Sequence, residues 1–309
     1  MLNYALKRIL AIVPLLLIVS FLAFVFINLS PYDPAEVALR ALNVPEISDE
    51  LLEKTREELG LNEPFVIRYV HWLKDMLRLD LGASYVSKQP VSALIGPAFL
   101  NTLKLTVVTA IYIIILSLLL GIFCAINEGK LADRVTRGIM FFLTAMPSYW
   151  IATLAIWFFA VKLDLFPTSG MGSSAHYVLP VTMLSLNYIG FYFRLIRNSM
   201  IQNTNENYVV YAKACGLKDK VVNKHILKNS LQTTVAVFGM AIPGLVAGTV
   251  VIENVFAWPG IGRLCVTSIL NRDLPVIQGY IIVVALAFVF FNLLADLLSS
   301  WLNPKIQKG

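Results

Sequence analysis

Uncharged, mostly apolar runs recur six times along the chain, separated by polar stretches that carry its charges. The runs cover residues 9–29, 105–127, 138–161, 178–193, 229–252 and 276–295. A helix rises about 1.5 Å per residue, so crossing a hydrocarbon core of roughly 30 Å takes about 20 apolar residues. Each run therefore predicts one spanning helix. The fourth is short, and Tyr177 with the aliphatic stem of Arg194 extends it. The first is too long for a signal-peptide core, and no Ala-x-Ala cleavage site follows it. Pro147, Pro180, Pro243 and Gly244 mark bends in the core runs, either as gating points or as packing kinks.

Residues 31–98, between the first two runs, have a different pattern. Ser48 suits the cap of a helix whose first turn holds Asp49 and Glu50, favourable at the positive end of the helix dipole. Leu51, Leu52, Thr55 and Leu59 mark its apolar face, and Gly60 suits its end. A second helix is expected from Pro64, with Phe65, Tyr69, Trp72 and Met76 at helical spacing and Arg68, Lys74, Asp75 and Arg78 interleaved. This amphipathic helix either lies at the membrane interface or packs on the spans.

Charge orients the spans. Short basic segments hold Lys7 and Arg8, then Lys130, Arg134 and Arg137, then Arg194, Arg197, Lys213, Lys218, Lys220, Lys224 and Lys228, and finally Lys305 and Lys308. Such segments are retained on the cytoplasmic side. The long first loop carries 11 acids against 7 bases and reads as external. Both termini then lie in the cytoplasm, as six spans require. Four segments follow: an N-terminal transmembrane helix at 1–30, an external loop with amphipathic helices at 31–98, a five-helix core at 99–298 containing a cytoplasmic loop at 203–226, and a cytoplasmic tail at 299–309.

Composition supports an all-α integral membrane protein. Hydrophobic residues make up 58% of the chain and charged ones 14%, against about 25% charged in a soluble protein. A soluble enzyme, a disordered chain and a nucleic-acid binder are excluded, since the net charge of +6 is what basic cytoplasmic loops produce. No charge falls at mid-span, which disfavours an ion-coupled carrier. Lys104 and Asp296 sit near span ends, where Lys104 can snorkel outward. His71, His176 and His225 sit on three different loops and form no HExxH and no triad, so neither catalytic residues nor metal ligands are expected. Cys124, Cys215 and Cys265 form no CxxC. The one Gly-Lys pair, Gly129-Lys130, is no Walker A, because Cys124 stands at the first glycine position and Leu131 at the Ser/Thr position. ATP and magnesium, if used, must bind another subunit.

The loop between the fourth and fifth runs reads Asn207-Tyr-Val-Val-Tyr-Ala-Lys-Ala-Cys-Gly216-Leu-Lys-Asp219. Ala212, Ala214 and Gly216 are small, which lets another protein's backbone approach a short helix closely. Gly216 can end that helix at positive φ, and Asp219 can cap the next. An ordinary basic loop is the alternative reading of the composition.

This loop resembles the coupling motif of the permease subunits of binding-protein-dependent ABC importers, with Ala212 and Gly216 at the second Ala and the Gly positions. Val210 and Tyr211 depart from the Glu-Ala form as the di-/oligopeptide and nickel branch does, and Thr233 stands where a proline is usual. Other pieces agree in order: Lys7-Arg8-Ile9 through Pro14, Leu59-Gly-Leu-Asn-Glu-Pro64, Leu81-Gly82-Ala-Ser84-Tyr85, Asn101-Thr102-Leu103, Met146-Pro147-Ser148-Tyr149-Trp150 and Phe256-Ala-Trp258-Pro259-Gly260-Ile-Gly262. Glu253-Asn254 and Asn271-Arg-Asp273-Leu-Pro275 are closer to nickel permeases, and Gly96-Pro97 through Lys104 to permeases for nickel or cobalt bound to an opine-type metallophore.

The resemblance implies a type I importer fold of six transmembrane helices with an external amphipathic insertion, in a bacterial cytoplasmic membrane. It also implies a second homologous permease chain, two ATPase subunits holding ATP and magnesium, and an external substrate-binding protein. Tyr211, Ala212, Ala214, Gly216 and Leu217 would meet an ATPase. Glu253 follows an uncharged run, and Pro259, Gly260 and Gly262 prevent a continuous helix. Glu253, Asn254, Trp258, Pro259, Gly260 and Gly262 are therefore expected to form a re-entrant or folded external turn at the mouth of the pathway, with Trp258 at the interface; the alternative is that Glu253 merely ends the fifth span in solvent. The cargo would be a nickel or cobalt chelate, or alternatively a di- or oligopeptide.

Overall fold

A computed structural model describes residues 2–29, 33–42, 44, 46–239 and 241–302. The tail bases Lys305 and Lys308 lie outside them. Among the described residues the secondary structure is helical, apart from one antiparallel bridge between Ala83 and Pro90. The chain divides into two compact units, one from residues 1–102 and 259–290, the other from 103–258 and 291–309.

The first unit holds α1 (Leu2–Asn28), α2 (Pro34–Ala41), α3 (Asp49–Glu58), α4 (Phe65–Leu77), the start of α5 (Val91–Ile126), α12 (Ile261–Leu270) and most of α13 (Leu274–Leu302). Caps set its short helices. The Ala35 amide donates to Asp33 Oδ1 at 2.9 Å, and the Leu51 amide donates to Ser48 Oγ at 3.2 Å. Arg56 on α3 reaches back to Asp33 at 2.6 Å and ties the two helices together. Phe65, Tyr69 and Trp72 of α4 pack on Phe21 and Phe24 of α1, with ring centroids 5.2–6.2 Å apart. Tyr69 also shares a 2.9 Å hydrogen bond with Ser20. One face of α4 thus packs on the first apolar helix, while Val66, Val70 and Leu77 stay exposed.

Two of the short sequence signatures meet in this unit. Asp273, buried before α13, accepts a 2.5 Å bond from Ser84 Oγ and a 3.0 Å bond from the Tyr85 amide. Ser84 Oγ in turn accepts from the Ser87 amide at 2.9 Å. Val91, Ile95, Ile261 and Val276 form an apolar cluster beside them.

The second unit holds the rest of α5, then α6 (Leu131–Ala145), α7 (Ser148–Ala155) continued by a π-helical stretch (Ile156–Lys162), α8 (Ala175–Thr204), α9 (Asn207–Ala214), α10 (Asp219–Gly239) and α11 (Ile242–Val255). α8 is central and packs against α6, α7, α10 and α11. Phe193, Leu105, Ile113, Leu245 and Ile252 fill the core around it.

Four sequence expectations need correction here. The third apolar run is two helices bent by 104° at Met146–Pro147. Pro147 has no amide to donate and forces Met146 into extended backbone, φ −89° and ψ 147°. The fifth run is also divided, with α10 ending at Gly239 and α11 opening at Ile242 with Pro243 in its first turn. Pro180, by contrast, lies inside an unbroken α8. α10 runs through Thr233 without a break, and Asp219 is its first residue rather than its cap. By length and composition, three helices among the described residues could cross a membrane, or four if the bent pair counts as one.

Glycine allows a close helix approach in the second unit. A Cβ on Gly121 would stand 2.8 Å from Cβ and Cγ2 of Ile196 and 3.1 Å from the Phe193 carbonyl. Alanine gains about 1 kcal/mol of helix propensity over glycine. Overpacking against a β-branched side chain and a backbone oxygen costs about 1–3 kcal/mol. We predict that Gly121→Ala lowers the thermal midpoint of the solubilised protein. Gly138→Ala, which faces open space, leaves the midpoint unchanged or raises it.

Candidate coupling and gating sites

The coupling segment is built by two turns. α8 ends at Thr204, and the chain reverses into α9 at Glu206 in extended backbone. α9 ends in a Schellman motif: the Gly216 amide donates to the Lys213 carbonyl at 2.9 Å, and the Leu217 amide to the Ala212 carbonyl at 3.2 Å. Gly216 has φ +76°, a conformation a Cβ would strain. Val209 is buried, clustering with Ile196 and Met200 of α8 and Val222 and Ile226 of α10. This apolar contact seats α9 on its neighbours.

The eight-residue helix therefore has an inner and an outer face. Val210 is 63% exposed and Tyr211 74%, and Ala214, Gly216 and Leu217 are exposed with them. Ala212 differs from the expected grouping, since it is half-buried against the Val209 cluster. The free face is thus Val210, Tyr211, Ala214 and Leu217, with Val210 added to the residues named from sequence. Lys213, Lys218, Lys220 and Lys224 border it.

The second candidate region follows α11. Glu253 and Trp258 are both fully buried, and the Trp258 amide donates to the Glu253 carbonyl at 2.8 Å. Ala257 turns the chain at φ +48°, left-handed backbone that is costly for a residue with a Cβ. The Gly170 amide donates to the Phe256 carbonyl at 2.8 Å, and the Trp258 ring meets Tyr177 edge-on at 4.7 Å. Trp258 is therefore a core residue and not the interfacial one expected. Its large ring gains more from full burial against another aromatic than from a half-wet position. Asn254 Nδ2 donates to the Val250 carbonyl of its own helix at 2.7 Å.

Within the first unit, the Pro259 carbonyl accepts from Asn101 Nδ2 at 3.0 Å, and the Ile261 amide donates to Thr102 Oγ1 at 2.9 Å. Gly260 precedes α12, and Pro259 is exposed. Residues 253–255 end α11 and 261–262 open α12, so only 256–260 are non-helical. Glu253 does not stand at an open mouth, because its side chain is enclosed.

Sequence reasoning passed over Asp133. It is fully buried near the start of α6 and paired with Arg197 of α8 at 2.8 Å. Its spacing of four from Arg137 was the available signal. Among the described residues no group of three or more His, Cys, Asp or Glu could hold a metal ion.

Comparison with known proteins agrees with this architecture. Residues 117–308 match the family of binding-protein-dependent transport system inner membrane components, and residues 1–106 match the N-terminal component of the same systems. The chain is 43% identical over 309 residues to the metal-staphylopine import system permease protein of Staphylococcus aureus, covering 100% of this chain and 99% of that one. It is 36% identical over 308 residues to the glutathione transport system permease protein of Escherichia coli K12, covering 99% of each. An inward-facing structure of the MetNI methionine ABC transporter superposes on 68% of this chain and 96% of its own, with TM-score 0.56 and 16% identity, which shows the shared fold. The chain belongs to the binding-protein-dependent transport system inner membrane component family, as a multi-pass permease with the type I ABC importer fold.

Proposed function

We propose that the chain is a permease subunit of an ATP-driven importer whose cargo is nickel or cobalt held by an opine-type metallophore. The observation that carries this reading is 43% identity along the whole chain to a metal-staphylopine permease. Cargo chemistry is compatible with it. A chelator keeps the metal's ligands, so a pathway without a His/Cys/carboxylate cluster can pass the complex. Glutathione, the cargo named for the 36% relatives, keeps peptide uptake as a second reading.

Six crossings follow if α1, α5, the bent α6–α7 pair, α8, the divided α10–α11 and α13 each traverse the bilayer. Basic short segments then place both termini and α9 in the cytoplasm, with the α2–α4 insertion outside. A second homologous permease, two ATPase subunits carrying ATP and magnesium, and an external binding protein complete the importer. ATPase closure would push on the free face of α9, and α8 and α10 would carry the movement into the spans. The turn at 253–262 would move with the end of α11 and open or close the outer side.

Three measurements test this. Labelled nickel uptake in a strain deleted for this chain should fall to background when an opine chelator is supplied. Equal uptake with and without the chain would overturn the metal reading, and loss of dipeptide uptake alone would favour the peptide one. Single cysteines placed at Lys54 and Lys218, in a chain with its own three cysteines replaced, should react with impermeant thiol reagents from opposite sides of the membrane. Labelling of both from outside would remove the six-span arrangement. Tyr211→Asp should leave the chain inserted, yet abolish uptake and the response of ATPase activity to loaded binding protein, since losing an interface anchor costs about 2 kcal/mol or more. Ala212→Arg should act differently, by lowering the amount of folded chain. Normal uptake by the Tyr211 variant would make α9 a simple basic anchor.

A further inference from the structure

The Asp133 carboxylate accepts four hydrogen bonds. Arg197 grips it with both prongs, Nε to Oδ1 at 2.8 Å and Nη2 to Oδ2 at 2.8 Å. Arg137 Nε adds a 3.2 Å bond to Oδ1, and the Gly129 amide a 3.2 Å bond to Oδ2. The Asp133 side chain is fully buried and that of Arg197 is 12% exposed. One carboxylate thereby joins the turn after α5, the first turn of α6, and α8.

Energetics make this a poor device for stability alone. Removing two charges from water costs several kcal/mol, and apolar replacements of the same volume are often as stable. Such a pair is better suited to fixing one arrangement of its elements. The elements in question matter here. α6 buries only Asp133 and Met140, while Ile139, Phe141 and Phe142 face outward. Its far end is the 104° bend at Pro147. Beyond the bend, α7 packs on α11. On the other side of the pair, Ile196 and Met200 flank Arg197 and pack with Val209 of α9. α9 is thus joined to α8 by apolar contact, and at this end α6 is joined to α8 by the ion pair.

We infer that Asp133 and Arg197 are positioning residues for transport: they lock the start of α6 to the α8–α9 block, so that displacement of α9 is delivered through α6 to the bend and α7. This rests on the assignment of α9 as the ATPase contact. The bidentate fork matters, because lysine offers a single point charge and cannot reproduce it.

Two readouts in the complete importer, reconstituted in liposomes, test the inference. The first is the distance between spin labels at Lys130 and Lys213, both exposed and on opposite sides of the pair. In the parent importer this distance should stay the same with and without ATP. In Asp133→Asn it should broaden or shift on ATP binding. The second is cargo moved per ATP hydrolysed, which should fall about tenfold or more in Asp133→Asn and Arg197→Lys. The concentration of loaded binding protein giving half-maximal uptake should not change.

A parent distance that changes with ATP would overturn the inference even if every variant failed to assemble. So would Asp133→Asn with parental distance and parental coupling ratio. The label distance does not depend on what α9 touches, so failure of the ATPase-contact assignment appears separately, as normal uptake by the Tyr211 variant.

Discussion

A peptide group in hydrocarbon has no water to bond to, and each one left unpaired costs several kcal/mol. That constraint governs the rest of this molecule. It makes the described chain helical, and it makes every break in a helix a place where protein must supply what the ladder no longer does. Among the described residues such breaks include the bend at Met146–Pro147 and the turn between α11 and α12. At the last of these the donors and acceptors can be followed. Trp258 and Phe256 find backbone partners in the second unit, and Pro259 and Ile261 find Asn101 and Thr102 in the first. The irregular backbone there finds partners among polar side chains and other backbone groups.

The same constraint explains what could be read from the sequence. Apolar runs and the Ser48 cap follow local rules, and they located the long helices with α3 and α4, but not α2 or α12. Pro147 was recognisable as a bend, because a missing amide is a property of one residue. Its angle was not, because 104° depends on what α6 and α7 each pack against. Gly216 was recognisable as a stop for the same local reason, and the structure gives it φ +76°.

What escaped was pairing across distance. Asp133 looks like one more loop charge until Arg197, 64 residues on, closes around it. Ser84 and Asp273 each sat in a recognisable signature with nothing to say that the two signatures touch. Ala212 and Trp258 failed on direction rather than identity. An eight-residue helix is too short for its periodicity to show which face is inward, and tryptophan's general preference for interfaces is weaker than the gain from the Tyr177 contact available in this fold.

The Ser84–Asp273 contact also bears on how the protein is made. The two residues are 189 positions apart. At ordinary synthesis rates roughly 10–40 s separate their emergence from the ribosome. Throughout that interval the Tyr85 amide and the Ser84 hydroxyl lack the carboxylate that will hold them. The first unit, assembled from the beginning and the near-end of the chain, cannot be completed until α12 and the opening of α13 exist. A chain truncated before Asp273 would present an unfinished unit to the cell's proteases. Ser84 and Asp273 therefore tie the early part of the first unit to a segment that is made only near the end of synthesis.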